Sequence, residues 1–419
     1  MIQEIKKEYI ERMKNELGSE SFDKYSNCLN LSTTHGMTIN LNKLKESSID
    51  LNYVINKFEL SEVFKNNNYA YYTYDKEKLA DNGIYPGKDP LYHAGLYYIQ
   101  EPSAAKVLFE VPFKSSDVIL DLCASPGGKS IQALYSLNKN EGGFLVSNEI
   151  DYKRVKVLNS NIERMGFSNI AITSAKSQEL SNCFNDYFDK IIVDAPCSGE
   201  GMFRKSEEAR KQWSLSLVKS CASIQRTLVD DAYNMLKRGG ILIYSTCTFS
   251  KEEDEEVVDY LLNKYSDLEL IKMEKSYPFN SLGEGQFYSI IKKAGENGYK
   301  TIAPKIEDFS GIDIIRYGVR EYGEENSKDN NKSRTNKKSH KNDLMKPTHE
   351  STHTDDIEFD NVVDLDDAEI IKYLKGEVIK KDLGFSGYCK ITYKNIGIGL
   401  AKYANGVLKN HYPKGLRLL

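Results

Sequence analysis

The stretch Asp121-Leu122-Cys123-Ala124-Ser125-Pro126-Gly127-Gly128-Lys129 decides the fold prediction for this chain. It continues the apolar run Val118-Ile119-Leu120, which is typical of a buried parallel strand, and Pro126-Gly127-Gly128 ends that run before a helical pattern. A strand, a tight glycine turn and a helix place free backbone N–H groups where open α/β sheets bind nucleotide-like ligands. The stretch is neither the dinucleotide fingerprint G-x-G-x-x-G nor a P-loop. Glycine turns after strands are common, so this motif alone leaves a purely structural role open.

Glu149 favours a cofactor site at this turn. It ends the apolar run 143–148, and an acid about 20 residues after such a turn can accept hydrogen bonds from ribose hydroxyls. The alternative is that Glu149 and Asp151 belong to the start of the next helix. The turn and the acid together favour an adenosine-containing cofactor.

The composition indicates two or three domains and no membrane span. The chain has 419 residues, of which 40% are hydrophobic and 28% charged, with a net charge of −4. No apolar run approaches the roughly 20 residues of a transmembrane helix, and the charged N-terminus lacks the pattern of a signal peptide. We therefore predict a cytoplasmic protein without a membrane partner, and we expect a monomer.

The cysteines and histidines do not predict a metal site. The seven cysteines are an odd number, widely spaced, and contain no C-x-x-C pair. Neither a disulfide framework nor a zinc site follows from that spacing. Six histidines are present, three of them in a polar stretch of low complexity, so histidine-based metal or triad chemistry is not indicated.

The N-terminal residues 1–88 predict a small α+β unit. Apolar residues recur at helical spacing before Gly18, and residues 69–74 read Tyr-Ala-Tyr-Tyr-Thr-Tyr, a strand pattern. These tyrosines could stack on unpaired bases, although partly buried strand residues are the more common explanation for such a pattern.

Residues 89–320 alternate strands and helices, the pattern of a doubly wound sheet and an α/β fold. The predicted strands cover residues 118–124, 143–149, 169–174, 190–195 and 241–247. The predicted helices cover residues 129–137, 152–165, about 217–237 and 251–264.

Residues 321–356 are polar and charged, and we predict a flexible linker there. Residues 357–419 predict a small β-rich module of uneven charge, because no acidic residue follows Asp382. Basic and tyrosine side chains alternate in that last part, namely Lys390, Lys394, Lys402, Lys409, Lys414 and Arg417 with Tyr388, Tyr393, Tyr403 and Tyr412. Such a face fits RNA binding, and a solvated basic surface is the alternative.

Two cysteines follow predicted strands. Cys197 follows the run 190–193 and Cys247 follows the run 241–244. Parallel strands end at one edge of a sheet, so both cysteines should lie at the edge that carries the glycine turn. Either cysteine alone could be a packing residue. Two at this edge favour chemistry.

Three motifs give the chain a specific resemblance. Cys123 to Lys129 reads Cys-Ala-Ser-Pro-Gly-Gly-Lys, Asp194 to Gly201 reads Asp-Ala-Pro-Cys-Ser-Gly-Glu-Gly, and Ser245 to Thr248 reads Ser-Thr-Cys-Thr. Together they resemble the motif set of RNA cytosine-5-methyltransferases that use S-adenosylmethionine. Residues 98–103 and 409–417 extend the resemblance toward the bacterial 16S ribosomal RNA methyltransferase F type.

The resemblance implies an architecture and a substrate. It implies a Rossmann-like methyltransferase domain at residues 89–320, a PUA-like RNA-binding module at 357–419, and RNA contact by the unit 1–88. The implied reaction is methyl transfer to C5 of a cytosine in RNA through a covalent cysteine adduct. The implied partner is 16S ribosomal RNA or the small ribosomal subunit, and transfer RNA is the alternative substrate.

The resemblance also implies roles for single residues. Cys247 matches the nucleophile that attacks C6, Cys197 matches the residue needed for product release, and Asp194 would hydrogen-bond N3 of the cytosine. Lys129 would orient the base or favour the thiolate. The implied cofactor contacts are Cys123, Ala124, Ser125, Pro126, Gly127, Gly128 and Lys129 around the methionine part, Glu149 on the ribose, and Asp194 nearby.

One departure from the family pattern concerns the adenine. The family usually carries a carboxylate after the third strand, whereas residues 173–177 read Thr-Ser-Ala-Lys-Ser. We expect Ser174 or a backbone group to replace it.

Three other functions are weaker alternatives. A DNA cytosine-5-methyltransferase would attack with the cysteine of the Pro-Cys pair, and an amino-group methyltransferase would carry an Asp/Asn-Pro-Pro-aromatic loop. A non-catalytic RNA-binding assembly factor would need neither cysteine.

Overall fold

The computed structural model describes residues 5–296, 300–321, 346–354 and 356–418. Their strands form three sheets of four, eight and five strands. Within these residues no helix is both long and apolar enough to cross a membrane.

The helices are α1 Lys7–Cys28, α2 Leu41–Glu46, α3 Leu51–Phe58, α4 Lys76–Asp81, α5 Pro90–His93, α6 Pro102–Phe109, α7 Gly128–Ser136, α8 Tyr152–Met165, α9 Ser177–Cys183, α10 Glu207–Gln212, α11 Leu215–Met235, α12 Glu255–Lys264 and α13 Asp367–Leu374. The first sheet contains β1 His35–Asn40, β2 Ser61–Lys65, β3 Tyr69–Tyr74 and β4 Tyr97–Ile99. The central sheet contains β5 Val118–Asp121, β6 Phe144–Asn148, β7 Ile170–Ser174, β8 Phe188–Asp194, β9 Leu236–Thr246, β10 Leu268–Ser276, β11 Gln286–Lys293 and β12 Asp313–Tyr317. The C-terminal sheet contains β13 Val362–Asp364, β14 Ile379–Lys380, β15 Gly387–Tyr393, β16 Ile396–Ala404 and β17 Val407–Asn410.

The central sheet confirms the predicted α/β fold. Its strand order is β10-β11-β9-β8-β5-β6-β7-β12, and the pairs within β9-β8-β5-β6-β7 are parallel. The order reverses at β5, which lies between β6 and β8, and ligands of such sheets bind beside that reversal at the carboxyl ends of the strands.

Both faces of the central sheet are covered by helices, because its strands are apolar on both sides. Val118 and Leu120 of β5 pack into the core beneath α9, α11 and α12. Ile119 of the same strand packs into the opposite core, beneath α6, α7 and α8. Alternate side chains of this one strand therefore pack into the hydrophobic cores on the two faces of the sheet.

Three strands at the ends of the central sheet were not predicted. β11 and β12 pair antiparallel with β9 and β7, and β10 pairs antiparallel with β11. β10 exposes Ile271 and Met273 and has no continuous buried face. A strand without one buried face lacks the alternation by which a sequence indicates a strand.

Helix α1 packs on the segments that follow β8 and β9 rather than on the first sheet. It bends at Gly18, whose φ is +74°. Tyr9 and Tyr25 pack against Phe203, Trp213 and Phe249, which lie near the ends of β8 and β9. The predicted helix end at Gly18 is therefore a bend within a longer element.

The first sheet takes its last strand from beyond the predicted limit at residue 88, since β4 pairs with β1. The tyrosines of residues 69–74 are all buried. They are core residues, so they do not provide a stacking surface for bases.

The C-terminal sheet shares one hydrophobic core with the first sheet. Ile39 and Phe58 belong to the same cluster as Ile391 and Tyr393, and the backbone N–H of Ser48 donates to Lys394 O at 3.0 Å. Of the predicted linker 321–356, residues 322–345 and 355 lie outside the described residues. Residues 350–354 are buried, in contrast to the flexible state that their polar sequence predicts.

Candidate active site

The two cysteines that follow β8 and β9 lie side by side. The two strands are parallel neighbours in register, with Asp194 opposite Ser245. Beyond their ends, the Sγ atoms of Cys197 and Cys247 are 3.3 Å apart. The structure therefore brings together the two thiols that the sequence placed at one edge.

Backbone and hydroxyl groups hold the two cysteine-bearing loops together. The N–H of Ala195 donates to Ser245 O at 2.9 Å, and the N–H of Gly201 donates to Cys247 O at 2.8 Å. Between these bonds, the hydroxyls of Ser198 and Thr248 are 2.8 Å apart. The spacing of the thiols is thus fixed by bonds on both sides of the pair.

The environment of Cys197 keeps its thiol protonated. Its hydrogen bond with Cys247 raises the pKa of Cys197 well above its ordinary value, and burial and the nearby Glu253 raise that pKa further. The Cys197 thiol is therefore protonated at neutral pH.

Asp194 is oriented by three donors. Its Oδ2 lies 2.8 Å from Lys129 Nζ, and its Oδ1 accepts from Ser245 Oγ at 2.7 Å and from Gln286 Nε2 at 3.3 Å. Lys129 is only 5% exposed and is carried by the first turn of α7. Asp194 and Lys129, which were predicted separately as site residues, are therefore in contact at the same edge as the thiols.

The glycine turn has the geometry that its residues predict. Gly127 has a φ of +115°, which favours glycine, and α7 begins at the next residue. Behind the turn, Ser130 Oγ donates to Asp121 Oδ2 at 2.7 Å, and burial raises the pKa of Asp121 to about 7.

Glu149 carries an unused buried oxygen. The side chain is 2% exposed, and its Oε1 accepts from the N–H of Asp151 at 3.0 Å. Its Oε2 receives no hydrogen bond from the described residues, although Arg154 Nη1 lies 3.2 Å away. Such an atom is a ready acceptor for a ligand hydroxyl.

Cys197, Cys247, Asp194 and Glu149 border a cavity of about 620 Å³. Its walls include Cys123, Ser125, Asn148, Glu149, Ile150, Arg154, Ala175, Lys176, Ser177, Gln178, Asp194, Cys197, Asp231 and Cys247. A larger polar cavity of about 770 Å³ lies beside the first sheet, near His35, and contains none of these thiols or carboxylates. The candidate site is therefore identified by the reactive side chains that line the smaller cavity and not by cavity volume.

The cavity is lined by some of the predicted site residues and not by others. Cys123, Ser125, Glu149, Asp194, Cys197 and Cys247 line it, whereas Ala124, Pro126, Gly127, Gly128 and Lys129 do not. Ser174 is not part of the wall, which is formed after β7 by residues 175–178. The carboxylate of Asp231 on α11 accepts from Ser177 Oγ at 2.6 Å and lines the same region.

Two buried carboxylates at this edge were not predicted. Glu200 and Glu253 both accept hydrogen bonds within the cysteine-bearing loops, and burial raises the pKa of Glu253 to about 7. Glu200 lies within the motif 194–201, so the motif contained a signal for it. Glu253 lies in a run of acids, 252–256, whose composition resembles an exposed helix start.

Comparison with protein families gives matches along most of the chain. The family model described as 16S rRNA methyltransferase RsmB/F matches residues 110–308. The N-terminal domain of 16S rRNA methyltransferase RsmF matches residues 5–102, and the methyltransferase RsmF PUA domain matches residues 360–418.

Curated relatives match mainly through the central region. Ribosomal RNA small subunit methyltransferase F of Vibrio parahaemolyticus is 38% identical over 57% of this chain and 48% of its own length. The protein of the same name from Vibrio vulnificus (strain YJ016) is 37% identical over 60% of this chain and 52% of its own length. The chain thus spans about half the length of these relatives.

Solved structures share the fold. NSun6 from Pyrococcus horikoshii, solved with SFG, has a TM-score of 0.58 and 22% identity over 71% of this chain and 100% of its own. A methyltransferase homologue from the same organism has a TM-score of 0.55 and 22% identity over 68% of this chain and 99% of its own. The three family models match in chain order, so the chain is similar to the RsmB/F family of 16S rRNA methyltransferases in its central region and to the N-terminal and PUA domains of RsmF on either side.

Proposed function

We propose that this chain transfers a methyl group from S-adenosylmethionine to C5 of a cytosine in RNA, through a covalent adduct with Cys247. The observation that carries the proposal is the pair of thiols 3.3 Å apart, bordering the same cavity as Asp194 and Glu149. A nucleophile, a second thiol and an orienting carboxylate are the groups that this reaction requires.

The residues of the cavity fit S-adenosylmethionine, which supplies an electrophilic methyl group when bound. The unused Oε2 of Glu149 is available to the ribose hydroxyls. Ile150 is 63% exposed at the cavity and offers an apolar surface for the adenine. Asp231 provides the carboxylate that residues 173–177 lack, and its hydrogen bond from Ser177 fixes that group. One structural neighbour was solved with SFG, an analogue of this cofactor.

The two thiols have separate tasks. Cytosine C5 is a weak nucleophile, so attack by the Cys247 thiolate on C6 forms an S–C6 bond and moves electron density to C5. After methylation, the proton on C5 must leave before the S–C6 bond can break and the ring double bond can return. Cys197, whose Sγ lies 3.3 Å from that of Cys247, is the residue that we assign to this release step.

Asp194 and Lys129 orient the target base. The Asp194 carboxylate borders the cavity beside the thiols, where it can hydrogen-bond the N3 edge of a cytosine. Lys129 Nζ lies 2.8 Å from that carboxylate and so helps to set its direction. Ser245 and Gln286 fix the second oxygen of the carboxylate, so its direction is set before the base arrives.

We propose 16S ribosomal RNA, alone or in the small ribosomal subunit, as the substrate, because one RsmB/F-type and two RsmF-type family matches support it. On the C-terminal sheet, Lys402 lies over the Tyr388 ring at 5.0 Å, and Lys409 and Lys414 are exposed. These cations can contact phosphates while Tyr388 contacts a base. Ribosomal RNA as the substrate places the protein in the cytoplasm.

The test is methyl transfer from labelled S-adenosylmethionine to three substrates: isolated small subunits, naked 16S ribosomal RNA and total transfer RNA. We expect label in a ribosomal substrate, at a cytosine that bisulfite sequencing identifies, and none with Cys247→Ala. Label only in transfer RNA would replace the ribosomal assignment. Label at another base atom would refute cytosine-5 transfer.

A further inference from the structure

We propose that Glu200 is a positioning residue that holds the two cysteine-bearing loops in register and so sets the distance between the Cys197 and Cys247 thiols. The inference rests on the proposed function, because it concerns the same pair of thiols. Glu200 follows Cys197 in the first of these loops, and its side chain is 1% exposed.

The carboxylate of Glu200 joins the two loops directly. Its Oε2 accepts from the N–H of Phe249 at 2.9 Å, and its Oε1 accepts from Ser250 Oγ at 2.6 Å. Both donors lie just beyond Cys247. The same Oε1 also accepts from Trp213 Nε1 at 2.8 Å, which ties the carboxylate to the segment before α11.

The backbone beside Glu200 touches the backbone of the nucleophile. The N–H of Gly201 donates to Cys247 O at 2.8 Å, and a Cβ on Gly201 would lie only 2.9 Å from that oxygen. A displacement of Glu200 therefore moves the hydrogen-bond partner of Cys247 itself. The carboxylate and this close approach together fix the loop on both sides of the nucleophile.

Aromatic side chains enclose the Glu200 carboxylate and limit its movement. Tyr9 of α1 packs against Phe203 and Trp213 at ring-centroid distances of 4.8 and 5.1 Å, and Tyr25 packs against Phe249 at 6.0 Å. A charge buried among such groups is costly unless donors satisfy it, so the three donors cannot move independently of the carboxylate.

The variant Glu200→Gln tests this role with little change in size. The amide oxygen can still accept one set of hydrogen bonds, but the amide nitrogen would present a donor to a second donor. Either Phe249 N–H or the Trp213 and Ser250 pair loses its acceptor. Ser250→Ala is the milder variant, because it removes one donor and leaves the carboxylate in place.

The direct measurement is the rate at which diamide converts the two thiols of the full-length protein into a disulfide. Each thiol gives up one proton and one electron, and diamide takes up both pairs to become a hydrazine. Mass spectrometry of the linked peptides identifies the Cys197–Cys247 bond among the other cysteines. Because a disulfide forms only within a narrow geometry, its rate reports the register of the loops.

We expect Glu200→Gln to slow this disulfide by on the order of 10-fold and to lower kcat by on the order of 100-fold at a nearly unchanged KM for RNA. Ser250→Ala should slow it by a smaller factor. Asp117→Asn is the matched control. Asp117 is also buried and also accepts a hydrogen bond from a backbone N–H, that of Lys114. It lies just before β5 begins, at the edge of the central sheet opposite the thiols.

Equal rates in Glu200→Gln and the unaltered protein would overturn the inference, as would an equal loss in Asp117→Asn, which would indicate general destabilisation. If Glu200→Gln fails to fold, Ser250→Ala decides, and an unaltered rate in that variant overturns the inference. The thiol measurement needs neither RNA nor a methyl donor. A protein that methylates no RNA would refute the proposed function and leave this result standing.

Discussion

The catalytic edge and the C-terminal sheet are held in place by different forces. At the catalytic edge, meaning the ends of β8 and β9 with loops 195–203 and 247–254, buried carboxylates accept short hydrogen bonds from both loops. The C-terminal sheet instead joins the first sheet through a shared apolar core. Hydrogen bonds are directional and apolar contacts are not. The comparison therefore indicates that hydrogen bonds specify the positions of single atoms at the catalytic edge, whereas the shared apolar core specifies only that the C-terminal sheet stays attached.

The largest effect should come from the thiols of the catalytic edge. Cys247→Ala should lower methyl transfer by about 10⁴-fold or more and form no covalent RNA complex, because the thiol assigned to the bond with C6 is then missing. Cys197→Ala should still attack and then stall, leaving RNA attached to the protein. A denaturing gel with labelled RNA distinguishes the two.

RNA affinity is the control for the two cysteine variants. Both should bind RNA as tightly as the unaltered protein, because the proposal assigns the thiols to the reaction and not to RNA binding. A shifted band for Cys247→Ala and none for Cys197→Ala would exchange the two roles. Loss of RNA binding in either variant would refute the proposal that these thiols act only in the reaction.

The second effect should come from the basic side chains of the C-terminal sheet. Lys402→Gln with Lys409→Gln should weaken RNA binding by roughly 10-fold at physiological salt, because each lost phosphate contact lowers the salt slope by about 0.7 to 0.9. The rate at saturating RNA should not change. Filter binding at several salt concentrations measures both quantities.

Lys381→Gln is the matched control for that surface. Lys381 lies on the same module, where it pairs with Glu369 at 2.8 Å, so its removal should leave the salt slope unchanged. An unchanged slope in the double variant would instead remove this face from the RNA site. Point variants are needed here, because deletion of residues 357–419 would expose the shared core of the first sheet.

The sequence predicted the parts of the molecule that local pattern specifies. The five parallel strands and the positions of Cys197, Cys247 and Glu149 followed from apolar runs and turns, because the carboxyl ends of parallel strands must meet. The Rossmann-like fold is confirmed. The roles of single residues remain predictions.

The remaining features depend on contacts between distant segments. Nothing local to α1 indicates that Tyr9 packs beside the catalytic edge, and the tyrosines of β3 are core residues only because other elements cover them. Of the basic residues after Asp382, Lys394 pairs with Asp367 and Arg417 donates to Tyr412 O. The predicted basic, aromatic face is therefore smaller than the sequence suggests, since Tyr393, Tyr403 and Tyr412 are also buried.

The smallest effect concerns the pH dependence of stability, through two buried carboxylates: Asp121 at the end of β5 and Glu253 in the catalytic edge. Burial raises the pKa of Asp121 from 3.8, and that of Glu253 from 4.5, to about 7. The folded protein therefore binds more protons than the unfolded chain between about pH 4 and pH 7. The stabilising contribution is complete below the ordinary pKa and is lost as the pH rises through 7.

Asp121→Asn should accordingly flatten the dependence of the free energy of unfolding on pH in that window, by up to about 1.4 kcal/mol per pH unit. Glu253→Gln should act in the same direction. Urea unfolding followed by the fluorescence of Trp213, the only tryptophan of the chain, reports on this edge because that side chain is buried against Glu200. Asp151→Asn is the control: the N–H groups of Arg154 and Lys153 hold the pKa of Asp151 below its ordinary value, so its effect falls at more acidic pH. A slope that stays unchanged in both Asp121→Asn and Glu253→Gln would show that these carboxylates are ionised in the folded protein, and the catalytic edge would then hold more buried charge than its hydrogen bonds indicate.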